Sequence, residues 1–228
     1  VKRSEINQIM RDAASFFASH NFLLPPFAYW TPAEWRTKGD EVREIVDREL
    51  GWDITDFGSG DYQRTGLFMF VLRNSDQSPN RTIPNKVYAE KILIVDPGQV
   101  TPMHFHWRKV EDIINRGGGE LVIQLHNSTP DEGLAESDVT VNMDGVRRVV
   151  KAGDCVRLRP GESITLPNGL YHKFWGESKR VLVGEVSLAN DDNTDNRFYL
   201  PVGRFPEIEE DETPLYLLCK DYPNYYRG

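Results

Sequence analysis

Two short segments hold the residues best suited to chemistry. The first is Gly98-Gln-Val-Thr-Pro-Met-His104-Phe-His106, followed five residues later by Glu111. The second is Gly161-Glu-Ser-Ile-Thr-Leu-Pro167-Asn-Gly169-Leu-Tyr-His172, and the two together contain three of the chain's five histidines. His104 and His106 are separated by one residue, so on a strand their imidazoles project from one face and can reach one ion. Pro167 and Gly169 suit a tight turn that presents His172 at the start of the next strand. His20 and His126 fall outside both segments and read as ordinary polar residues. Three neutral imidazoles and a carboxylate suit one borderline divalent ion: Mn2+, Fe2+, Co2+, Ni2+ or Zn2+. An octahedral ion on such a set keeps two positions for substrate oxygens, where it polarises a carbonyl and stabilises developing negative charge.

Three charged residues could work beside such an ion. Lys109 lies two positions before Glu111, so on a common strand it would face the same side; taken alone it reads better as a solvated surface lysine, and only its place beside the histidine segment favours a role. Lys91 adjoins the apolar run Ile92-Leu93-Ile94-Val95, where an unpaired ammonium is costly to bury, so it either snorkels to solvent or is used. Glu185 interrupts Val181-Leu-Val-Gly184 in the same way. It is either a salt-bridge partner or a partly desolvated carboxylate tuned for proton transfer.

The elements that must position these residues change character along the chain. Ile6, Ile9, Met10, Ala13, Phe16 and Phe17 share one helical face after a possible Ser4 cap, an amphipathic helix of about four turns. Thr31-Pro32-Ala33-Glu34 reads as a capping box with proline at the first helical position. A third helix is expected through Val42, Ile45, Val46 and Leu50, stopped by Gly51. From about Gly66 the pattern turns to short strands: Leu67–Leu72, Val87–Val95, Leu121–Leu125, Val139–Asn142, Arg147–Val150, Val156–Leu158 and Val181–Val186. Asp144-Gly145 suits a two-residue hairpin turn, and Gly117-Gly118-Gly119 is read as a turn after Glu111. The resulting expectation is a mainly β sandwich or barrel over 66–228, with a helical extension over 1–65 packed on it.

Composition narrows the function classes. Apolar residues make up 39% and charged residues 27% of 228, the balance of a globular protein with a real core. A net charge of −8 repels nucleic-acid backbones and anionic membranes, so a small neutral partner is expected. Cys155 and Cys219 lie too far apart for a CxxC pair and are expected to be reduced and buried. No apolar run reaches the roughly 18 residues of a membrane span, and Glu5, Arg11 and Asp12 interrupt any N-terminal signal segment; a cytoplasmic location is expected. The acidic stretch Glu207–Glu212 is expected to be solvated, and Tyr222, Tyr225 and Tyr226 to pack on the barrel or on a second subunit.

The two histidine segments resemble the paired motifs of the cupin superfamily, which implies a jelly-roll β-barrel whose metal ligands are His104, His106, Glu111 and His172. One position departs: where the family often has asparagine four residues after the last histidine, this chain has Gly176. More narrowly, the chain resembles the cupin-type D-lyxose isomerases through Tyr88-Ala-Glu-Lys91, Asp96-Pro-Gly98-Gln, the run from His106 to Ile113, and Gly184-Glu185-Val-Ser. That resemblance implies one divalent ion per chain, usually Mn2+, and a homodimer. It also implies an aldose–ketose isomerase that interconverts D-lyxose with D-xylulose and D-mannose with D-fructose through a metal-bound enediolate. Glu185 is then the first candidate to move the proton between C1 and C2, with Lys91 and Lys109 positioning hydroxyls or relaying the O1 and O2 protons.

Three other readings compete. A cupin Fe(II) oxygenase would use the same four ligands but line its pocket with hydrophobes. An isomerase of sugar phosphates would need a cluster of Arg and Lys, which Arg147, Arg148, Arg157 and Arg159 supply only if they face inward. A non-catalytic sugar-binding barrel would be expected to lack a complete ligand set.

Overall fold

The computed structural model describes residues 1–76, 83, 85–204 and 206–228. Helix α1 (Arg3–Ser19) is followed by two short helices, α2 (Pro32–Trp35) and α3 (Arg43–Asp47). Lys2, not Ser4, occupies the N-cap of α1, and Ser4 sits inside the first turn, where its hydroxyl donates to Asp211. Thr31 and Glu34 form the expected capping box of α2. Helix α3 ends before Leu50, because Glu49 turns to a φ of 50° and Gly51 opens a strand instead of closing a helix.

That strand, β1 (Gly51–Thr55), falls within the stretch expected to be helical and pairs with β2 (Leu67–Arg73). The remaining strands are β3 (Tyr88–Val95), β4 (Thr101–Phe105), β5 (Glu111–Asn127), β6 (Val139–Met143), β7 (Val146–Val150), β8 (Cys155–Leu158), β9 (Ser163–Leu166), β10 (Leu170–Leu188) and β11 (Arg197–Phe198). A last short helix, α4 (Tyr222–Tyr225), ends the chain. The β6–β7 hairpin turns through Asp144 and Gly145, both at positive φ, as a type I′ turn requires.

Every pairing between these strands is antiparallel, and two long strands organise them. β5 pairs with β10 along nearly its whole length, and each serves two layers. In one layer the order is β1-β2-β3-β10-β5-β9-β6-β7; in the other, β11 and β4 join β10 from one side and β8 joins β5 from the other. The result is a cupin jelly roll, mainly β, with helices at its N-terminal end. The edges that face each other, β1 and β11, meet through side chains and loops: Phe57 packs on Phe198 at 5.7 Å, and Thr55 donates a hydrogen bond to the Arg204 carbonyl.

Gly117–Gly119 do not turn the chain back. They lie within β5 where it passes the irregular stretch Glu177–Val181 of β10. A Cβ on Gly118 would stand 2.1 Å from the Arg180 carbonyl oxygen, so only glycine lets the two strands stay paired through the bend. Asn115 pins this bend, donating to the Gly119 and Leu158 carbonyls and accepting from the Gly117 N–H.

Alternation sorts the sheet's two faces. Leu67, Met69, Val71, Leu93, Val95, Val181 and Val183 point into the barrel, with Ile113, Ile123, Ile164 and Phe174. Phe68, Phe70, Ile92, Ile94 and Leu182 point outward with Trp52 and Ile54, where Ile6, Met10, Ala13 and Phe17 of α1 cover them. Tyr222 closes the C-terminal end against Trp35 at 4.4 Å and donates to the Leu50 carbonyl. The acidic stretch is partly tied down: the buried Arg3 binds Glu210 and Asp221, and Asn7 donates to Glu212. Cys219 is buried as expected, whereas Cys155 is exposed because β8 turns its odd-numbered residues outward; both are free thiols. Among the described residues no helix is long and apolar enough to cross a membrane.

Candidate active site

β4 and β10 lie side by side with His104 directly opposite His172, and their ring centroids are 4.1 Å apart. His106 follows just beyond the end of β4. The ligand atoms of His104, His106 and His172 all lie within 4.8 Å of one another, and all three residues are buried. Each ring is oriented by a backbone carbonyl at Nδ1: Pro102 for His104 at 2.8 Å, Asp195 for His106 at 3.0 Å, Leu170 for His172 at 3.0 Å. A carbonyl accepts only, so Nδ1 carries the proton and each Nε2 keeps a lone pair for an ion. Burial, with His172 and His106 alongside, pushes His104 well below the ordinary imidazole pKa, which favours the neutral form that a metal needs.

Glu111 opens β5 beside this cluster. Its Oε1 lies 3.1 Å from His172 Nε2 and 3.4 Å from His106 Nε2, while Oε2 is 2.8 Å from Lys109 Nζ. Burial opposes a charge on Glu111, yet Lys109 and His106 outweigh it and hold the carboxyl well below the usual range. The buried donor set therefore fits a divalent ion: three free imidazole nitrogens converge, with an ionised carboxylate oxygen beside two of them.

Lys109 is not on a strand with Glu111; it sits in the loop before β5, though its amine reaches the side expected. It donates to Glu185 Oε1 at 2.9 Å and to Asn190 Oδ1 at 3.2 Å. Burial alone would lower its pKa, but Glu111 and Glu185 raise it above the ordinary lysine value. Glu185 and Lys91 are register partners across β10 and β3. Both continue the inward-facing alternation of Val181 and Val183, and of Leu93 and Val95. Lys91 Nζ is 3.4 Å from Glu185 Oε1 and 2.8 Å from Asn190 Oδ1. So Lys91 is 3% exposed without snorkelling, because two acceptors meet it inside.

The three histidines, Glu111, Lys109, Lys91 and Glu185 all line one cavity of about 340 Å³. Asp53, Thr101, Asp192 and Arg204 line it too, and none of these was singled out from the sequence. Asp195 supports the site from behind: its carboxylate accepts from the Arg108 and Lys109 N–H groups, and its carbonyl orients His106. Lys91 and Lys109 hold Asp192 below its ordinary pKa against the opposing effect of burial. A signal for Asp192 and Asp195 exists in the run Asn190-Asp-Asp-Asn-Thr-Asp-Asn196, which carries more Asn and Asp than a plain loop needs.

A family model described as D-lyxose isomerase matches residues 1–222. The chain belongs to the D-lyxose isomerase family. A D-lyxose/D-mannose isomerase of Serratia proteamaculans is 52% identical over 225 residues, covering 97% of this chain and 98% of the relative. One from Escherichia coli O157:H7 is 49% identical over 228 residues, covering 99% and 100%. Among solved structures, an L-ribose isomerase of Cellulomonas parahominis superposes with a TM-score of 0.62 at 17% identity, covering 92% of this chain and 98% of that one, and so shares its fold. Within this D-lyxose isomerase family chain, three of the four narrow segments that carried the resemblance send side chains into the cavity, namely Lys91, then His106, Lys109, Glu111 and Ile113, then Glu185, whereas Asp96 to Gln99 do not line it.

Proposed function

We propose that this enzyme interconverts D-lyxose with D-xylulose and D-mannose with D-fructose, with one divalent ion held by Nε2 of His104, His106 and His172 and by the Glu111 carboxylate. The observation that carries the reading is the position of Glu185, a buried carboxylate in the same cavity as the histidines and joined to Glu111 through Lys109. When bound, the ion supplies Lewis-acid polarisation of the sugar carbonyl and stabilises the negative charge that develops beside it. Glu185 takes the proton from C2 of the open-chain aldose and returns it to C1, while the proton on O2 passes to O1 with Lys91 or Lys109 as the relay. Lys109, held firmly charged, donates hydrogen bonds to Glu185 and to a sugar oxygen. Lys91, anchored on Asn190 and within ion-pair distance of Glu185, reaches a further sugar oxygen from the neighbouring strand, so the two amines position hydroxyls against the base. The family resemblance supports Mn2+ as the ion and a homodimer as the assembly.

The cavity's charged lining suits a polyol and argues against an oxygenase of apolar substrates. Arg147, Arg148, Arg157 and Arg159 are all exposed, and Arg157 and Arg159 pair with Glu177 and Glu120 on the outer surface. Those four arginines are therefore not at the cavity, and the basic side chains that line it, Lys91, Lys109 and Arg204, face carboxylates already there. The test is an aldose panel headed by D-lyxose and D-mannose, with chelated enzyme reconstituted by single divalent ions and ketose followed as product. Ketose formation that requires an added ion is expected; the same turnover in excess chelator would contradict the metal role. Solvent deuterium should enter the product, and a product free of deuterium would replace proton transfer by a hydride shift.

A further inference from the structure

Asp53 lies on β1 and lines the cavity, yet the proton transfer above gives it nothing to do. It pairs in register with Met69 on β2, which pairs with Leu93 on β3, and both of those side chains face the barrel interior. β1 is three strand positions from β10, which carries Glu185. At about 4.8 Å per strand, that is roughly 14 Å along the sheet. Glu185 and the histidines thus occupy one wall of the cavity, and Asp53 another.

A carboxyl at this position is expensive. Its neighbours Trp52 and Ile54 are apolar and fully buried, and Asp53 itself is 5% exposed. Among the described residues its side chain has one hydrogen bond, from the Ile54 N–H to Oδ1 at 2.9 Å, and Oδ2 has none. That one contact comes from the next residue along the chain, which leaves acceptor capacity on a side chain that lines the cavity, where a ligand hydroxyl can meet it. Burial, with Asp192 nearby, pushes the Asp53 carboxyl up to about 7. A carboxyl balanced this way near neutral pH can either accept from a hydroxyl or donate to one.

An open-chain aldose whose C1 and C2 oxygens are held at the histidine end must extend its other hydroxyls along the cavity. We infer that Asp53 binds a hydroxyl on the C4–C6 part of the sugar and thereby sets which aldoses the enzyme accepts. The inference rests on the isomerase reading. It makes Asp53 a specificity residue that acts on the substrate's far end.

The test compares kcat/KM for D-mannose with its 4-, 5- and 6-deoxy analogues, in the parent enzyme and in Asp53→Ala. Loss of a hydroxyl that meets a buried acceptor should cost the parent about tenfold or more at one position. In Asp53→Ala that penalty should shrink to less than about threefold, with the parent's advantage lost through KM rather than kcat. Asp53→Asn, which keeps the side chain's shape, guards against a folding defect and should also blunt the penalty while retaining metal content and melting no lower than the parent. Deoxy penalties unchanged in both variants would overturn the assignment of Asp53 and leave the isomerase reading standing. A parent enzyme that turns over no aldose in the panel would overturn both.

Discussion

The two faces of the β1–β2–β3 sheet are equally buried and built on opposite principles. The outer face is apolar: Trp52, Ile54, Phe68, Phe70, Ile92 and Ile94 pack under α1. The inner face begins the same way, with Leu67, Met69 and Leu93, and then admits Asp53, Lys91 and, on β10, Glu185. A one-residue step along any of these strands crosses from one face to the other. Burial under the helix is non-directional and stabilises in proportion to area. The charges inside each need a named partner, and Lys109 meets Glu111 and Glu185 as Lys91 meets Glu185 and Asn190. Stability is concentrated on one side of the sheet and chemistry on the other, so substitutions should separate the two.

The sharpest separation is expected from Glu185→Gln. Loss of a general base that acts in the transition state should lower kcat by roughly 10²–10⁴-fold, while metal content, measured on the purified variant, stays at the parent level. Next is Trp52→Ala on the outer face, which should cost about 3–5 kcal/mol in urea unfolding and leave kcat of the folded fraction nearly intact. A large fall in kcat there would break the division between the faces.

Asp53 should show the same trade from the other side. Its folded pKa, about 7, lies above the ordinary 3.8, so the folded state binds its proton more tightly than the unfolded chain does. Its contribution is therefore increasingly destabilising as pH rises from about 4 to about 7, and constant above that. Asp53→Asn should be more stable than the parent by about 1–3 kcal/mol at pH 8, with the gap closing toward pH 4, as read from melting curves across that range. The smallest effect is expected at Asp195→Ala, which loosens the loop carrying His106 and Lys109 and should weaken metal affinity by about tenfold in a competition titration.

The histidine end of the cavity is legible in the sequence because its signals are local. His104 and His106 lie one residue apart, Glu111 follows closely, and the Pro167 and Gly169 turn announces His172. Lys91 and Glu185 were readable as charges in apolar strands, and the structure resolves each toward the interior. Asp53, Asn190, Asp192 and Asp195 are not singled out: nothing local separates Asp53 from a loop Asp, and the density of Asn and Asp over 190–196 marks that run without saying which of its residues face the cavity. The Gly117–Gly119 misreading has a similar origin. Three glycines suit a turn, but here they permit close approach of β10, which only the paired strand reveals. β1 was missed because Gly51 carries a helix-stop signal, and the strand after it is short and buried on both faces.

The most direct test is an anomalous-difference map from crystals of the enzyme grown with Mn2+. One peak per chain is expected, within bonding distance of Nε2 of His104, His106 and His172 and of a Glu111 carboxylate oxygen. A map with no peak among those four side chains, from crystals of protein that isomerises D-lyxose, would contradict the account.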